Sequence, residues 1–138
     1  MSLRYYCPHC NSLLNPGVKV IFVIESGPRR GLILLSPDLG DYAVVMAESF
    51  PLVPGTINRY ECPVCHQDLT SPVNEKLVEI VGRQADGTEA RVAFSRVAGE
   101  RATFVRGGNG LRSFGEDAVL YDAVNFFGEG IDDVDEDG

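Results

Sequence analysis

Cys7-Pro8-His9-Cys10 is matched further along the chain by a second unit of the same spacing, Cys62-Pro63-Val64-Cys65, with 51 residues between Cys10 and Cys62. These two units hold all four cysteines of the 138 residues. Two residues between cysteines let the backbone turn tightly enough for both sulfurs to face one point. The proline after the first cysteine stiffens that turn, and backbone N–H groups can then point at the sulfurs. Four thiolates at about 2.3 Å from an ion form a closed set, the structural rather than the catalytic arrangement. The spacing therefore marks Cys7, Cys10, Cys62 and Cys65 as metal ligands, with one Zn(2+) per chain as the first choice. The same set also holds iron. Cys-Pro-His-Cys also resembles a redox dithiol, but no strand–helix–strand pattern surrounds it.

Outward from the cysteines, the residues read as β-structure. Val18 to Glu25 is β-branched and aromatic, as are Leu32 to Leu35 and Tyr42 to Met46, with turn chemistry at Ser26-Gly-Pro-Arg-Arg-Gly31 and Ser36-Pro-Asp-Leu-Gly40. Phe50 to Gly55 contains two prolines and reads as an irregular connection. Beyond Ser71-Pro72 come Lys76–Val81, Glu89–Val97 and Ala102–Arg106, the first two joined by an Asp86-Gly87 hairpin signal. Gly107-Gly-Asn-Gly110 lacks the lysine of a phosphate loop and reads as a turn. Ser113-Phe-Gly-Glu116 fits a capping box, so a helix is expected from there to about Phe127, stopped by Gly128, with Val119, Leu120, Val124 and Phe127 on its apolar stripe. Glu129 to Gly138 is acidic, lacks aromatic residues and is expected to be disordered. The expected class is mostly β (α+β), a knuckle pair with β-meanders and one C-terminal helix. Residues 1–72 form the cysteine-bearing module with its inserted meander, 73–128 a second meander plus helix packed with it, and 129–138 a tail. No internal repeat is expected beyond the two knuckles.

The two CPxC units resemble the knuckles of the zinc-ribbon and rubredoxin-like folds, and the resemblance covers only those units and the strands beside them. It implies that the four cysteines hold one metal ion. Knuckles of this kind usually place glycine after the second cysteine, where φ is positive; here the residues are Asn11, which tolerates that conformation, and His66, which does so less well. The resemblance also implies two alternatives to a zinc-bearing protein-interaction module: a rubredoxin-like iron electron carrier, and a nucleic-acid-associated zinc ribbon.

The net charge of −8 is a property of one end of the chain. Of the twenty acidic residues, nine lie between Ser113 and Gly138, a segment with no Lys or Arg; the remaining eleven face twelve basic residues in 1–112. Ten of those twelve are arginine, with Arg83, Arg91, Arg96, Arg101 and Arg106 on the second meander. Arginine suits anionic partners, but Glu79, Glu89 and Glu100 are interleaved, so ordinary surface charge is the preferred reading. Both histidines, His9 and His66, sit beside the cysteines as solvated or supporting groups, leaving none elsewhere to serve as a general base. No apolar run approaches membrane-spanning length and no secretory leader is visible, so a cytoplasmic location is expected. The sequence thus predicts a non-enzymatic protein with a structural four-cysteine zinc site and an unidentified protein partner.

Overall fold

The structure is a computed structural model that describes residues 4–46, 53–107 and 110–121. Among the described residues, nine strands form two antiparallel sheets: β1 (Arg4–Tyr6), β2 (Val20–Ser26), β3 (Arg29–Leu35), β4 (Val44–Met46), β5 (Arg59–Glu61), β6 (Leu77–Arg83), β7 (Glu89–Ser95), β8 (Thr103–Gly107) and β9 (Gly110–Phe114). One sheet has the order β1-β6-β7-β8-β9, the other β4-β3-β2-β5. The mostly-β expectation holds.

The sheets are built by period-two alternation. Val20, Phe22 and Ile24 of β2, with Ile33 of β3, point into a common core with Val78 and Ile80 of β6, Val92 of β7 and Val105 of β8. Phe22, Tyr60 and Phe94 meet there with ring centroids 5.4 to 5.7 Å apart, two of the three pairs edge-to-face, and so join the two sheets. The turn expected at 26–31 is tighter than its composition suggests. Ser26 pairs directly with Arg29 across a two-residue Gly27-Pro28 loop in which Gly27 has φ +60, so β3 begins at Arg29 rather than Leu32.

The strand pairing crosses between the two cysteine repeats. β1 leaves the first meander to pair with β6, while β5, the strand before the second knuckle, pairs with β2. Each knuckle is therefore entered from a strand that belongs to the sheet built by the strands after the other knuckle. The repeat also extends beyond the knuckles, contrary to expectation: Arg-Tyr-x-Cys-Pro-x-Cys-x-x-x-Leu occurs at 4–14 and again at 59–69.

The expected C-terminal helix is corrected. Ser113 is not a helix cap; it lies in β9 opposite Phe104. Gly115, at φ +94, ends that strand, and a short 3-10 helix follows over Glu116–Tyr121. Its first turn is capped from across the chain, Asp117 N donating to Arg101 O (2.9 Å) and Asp117 Oδ2 accepting from Arg101 N (2.8 Å). Ala118 packs with Leu77, Ala93, Ala102 and Phe104 on the face of the five-stranded sheet turned away from the main core. Residues 122–127 of the expected helix and the acidic tail lie outside the described residues. A Cβ at Gly115 would meet Arg101 O at 2.2 Å and Tyr42 Oη at 2.6 Å. Gly115→Ala is therefore expected to cost about 1–3 kcal/mol or more, since clash adds to positive-φ strain; chemical denaturation measures it, and a wild-type midpoint would contradict this placement.

Candidate metal centre

Each knuckle is assembled by the same backbone contacts. In the first, Cys7 N donates to Ser12 O (3.0 Å), Asn11 N to Cys7 O (2.9 Å) and Leu14 N to Tyr5 O (2.7 Å). In the second, Cys62 N donates to Gln67 O (3.1 Å), His66 N to Cys62 O (2.9 Å) and Leu69 N to Tyr60 O (2.9 Å). Asn11 and His66 both adopt φ 62, the left-handed conformation that the knuckle resemblance implies at this position. Leu14 and Leu69 are buried beneath the two turns.

The strand exchange brings the knuckles together. The four Sγ atoms of Cys7, Cys10, Cys62 and Cys65 all lie within 4.8 Å of one another. Cys7 Sγ is 3.7 Å from Cys65 Sγ, and Cys10 Sγ is 3.7 Å from Cys62 Sγ. These separations are far beyond a disulfide bond of about 2.05 Å, and all four cysteines are free. They match the edge of about 3.8 Å that a regular tetrahedron requires when each sulfur sits about 2.3 Å from its centre. The donor set therefore fits a metal ion. Backbone N–H groups of His9 (3.3 Å) and Cys10 (3.5 Å) point at Cys7 Sγ, and those of Val64 (3.3 Å) and Cys65 (3.5 Å) at Cys62 Sγ. Such donors stabilise thiolate charge. His9 and His66 are exposed and outside the four-sulfur cluster.

The sulfurs differ in their surroundings. Burial pushes the Cys7 thiol up to about 12 and raises Cys62, whereas the Ser12 hydroxyl and backbone N–H lower exposed Cys10 to about 6. On these directions a metal has to displace protons from Cys7 and Cys62 near neutral pH, whereas less of the Cys10 proton remains to be displaced. Metal affinity is expected to rise with pH, with fewer than four protons released per ion. Calorimetric titration of metal-free protein in buffers of different ionisation enthalpy measures this count; release of four would contradict the role given to Cys10.

Two arginines whose place the sequence does not reveal hold the knuckle corners. Arg83 stacks over the Tyr6 ring, 4.3 Å from its centroid, and its Nη2 donates to Asn11 Oδ1 (3.2 Å). Arg30 Nη2 donates to Glu61 Oε1 (2.7 Å) and lies 3.3 Å from His66 Nδ1. Glu61, buried beside Cys62, also accepts from Arg59 Nε (2.7 Å). Both guanidinium groups thus bind residues adjoining the cysteines, Arg30 at His66 and Glu61, Arg83 at Asn11 and Tyr6. Only strand register reveals this, by placing Arg30 opposite Glu25 and Arg83 opposite Arg4. Three of the five meander arginines are engaged internally as well. Arg91 pairs with Glu79 (2.8 Å), Arg83 with Glu89, and Arg96 donates to the carbonyls of Asn58 (2.8 Å) and Glu75 (2.6 Å).

No protein-family model, curated protein or solved structure matches this chain. Among the described residues, no helix is long and apolar enough to cross a membrane.

Proposed function

We propose that this is a non-enzymatic zinc protein of zinc-ribbon type, in which one Zn(2+) bound by Cys7, Cys10, Cys62 and Cys65 braces the two halves of a β-scaffold that docks a protein partner in the cytoplasm. The observation that carries this reading is the set of four sulfurs within 4.8 Å of one another, two of their separations being 3.7 Å. Four protein ligands complete the coordination of the ion, which leaves no open position for substrate or an activated water. The internal pairing of Arg83, Arg91 and Arg96 supports a protein partner over a nucleic acid. Affinity capture with intact, metal-loaded protein, with and without nuclease, tests the proposal. Recovery of a protein that survives nuclease is the expected result. Recovery of nucleic acid alone, or of an iron-loaded centre that cycles between oxidation states, would overturn it.

A further inference from the structure

Beyond the metal centre, the space between the sheets holds a second feature. A half-open cavity of about 360 Å³ lies beside the aromatic trio, its accessible lining including Leu35, Leu39, Val44 and Phe94, while Phe22, Ile33 and Val92 border it as buried residues. Protein interiors are close-packed, with few voids larger than a water molecule. A volume of this size instead falls in the range of small-molecule sites, roughly 300–1,000 Å³ and mostly apolar. The rim is built from the loop between β3 and β4 and from the residues leading into β8. It is held in shape by Tyr42, whose hydroxyl lies 2.8 Å from Thr103 Oγ1 and donates to Phe114 O (3.1 Å). Asp38, Asp41, Glu100 and Arg101 are among the lining residues, with Glu100 Oε1 accepting from Ser95 Oγ (2.7 Å) and the Lys19 charge acting on Asp41. The Ala43 N–H keeps Asp41 ionised by holding its carboxyl below the usual range. Three acidic residues against Arg101 and Lys19 leave one net negative charge there, while the interior is hydrocarbon and aromatic.

We infer that this cavity binds a small apolar molecule carrying a cationic head group, the body seated against Leu35, Leu39 and Phe94 and the head at the Asp38–Asp41 rim. The site is separate from the sulfur cluster and does not depend on the role assigned to the metal. It can be tested by fluorescence titration of the intact, metal-loaded protein with two dyes of similar size, a cationic acridine and an anionic anilinonaphthalene sulfonate. The expected result is saturable one-to-one binding of the cationic dye, at least tenfold tighter than the anionic one. Asp38→Asn with Asp41→Asn is expected to remove most of that preference. Val92→Phe, which projects a ring into the cavity from a buried wall position, is expected to abolish binding while the four-sulfur centre keeps its metal. Metal content and a thermal melt establish that this variant is folded; should it unfold, Leu39→Trp at the cavity lining takes its place. Absence of saturable binding by the cationic dye, equal or tighter binding of the anionic dye, or undiminished binding in a folded cavity-filling variant would each overturn the inference.

Discussion

Cys62→Ser is expected to abolish stoichiometric metal binding and to loosen both knuckles. The residue is fully buried, its Sγ accepts from two backbone N–H groups, and it sits 3.7 Å from Cys10 Sγ of the other knuckle. A serine hydroxyl does not become an anionic ligand at neutral pH, so the variant leaves three thiolates and a buried polar group in place of the fourth. The strand exchange makes this damage bilateral. β5 enters the second knuckle from the β2 side and β1 enters the first from the β6 side, so losing the joint frees both corners together. An ion that binds the folded arrangement more tightly than the unfolded chain adds that difference in binding free energy to stability. The variant, and wild type treated with chelator, should show the same drop in melting temperature. Faster hydrogen exchange should appear at residues 5–14 and 60–69 first. Unchanged metal content and an unchanged melt would remove the metal from any structural role.

Phe22→Ala carries the second large effect. Phe22 has no exposed surface and packs its ring against Tyr60 at 5.7 Å and Phe94 at 5.6 Å, so it touches its own sheet and the opposite one. Truncation removes both contacts and enlarges a cavity that already lies alongside. Phe→Ala changes in cores cost about 3–5 kcal/mol, and the cost is larger where the surroundings cannot collapse. The strand pairings on both sides of Phe22 hold the backbone in place, which points to the upper part of that range. Urea denaturation of metal-loaded protein measures it; a loss below about 1 kcal/mol would show that the trio does not join the sheets.

Much of this architecture could be read from residue types alone. The β-branched and aromatic runs mark β2, β6, β7 and β8, because such side chains suit a pleated, half-buried surface. The cysteine spacing marks the ligand set because chemistry constrains it locally. The exchange of β1 and β5 could not be read, since pairing Tyr5 with Gly82 joins residues far apart in sequence and depends on register. β9 was hidden for another reason. Gly110-Leu-Arg-Ser-Phe114 has little strand propensity, and it is a strand because it completes the backbone ladder of β8. The apparent capping box at Ser113 follows the same logic: a local signal lost to a longer-range pairing, with Arg101 supplying the cap instead. The repeat was obscured because its halves keep the Arg-Tyr and Leu positions around each knuckle while the strands that follow keep only their hydrophobic pattern. Arg30 and Arg83 read as surface charge until strand pairing sets them beside Glu61 and Asn11.

On the function proposed above, the four sulfurs hold a single structural zinc ion. Elemental analysis of protein purified without added metal, combined with its visible absorption spectrum, decides this. The expected finding is a colourless protein with one zinc per chain, lost together with the fold of the knuckles on chelation. A red ferric-thiolate spectrum with bound iron, or a folded protein with no metal at all, would contradict it.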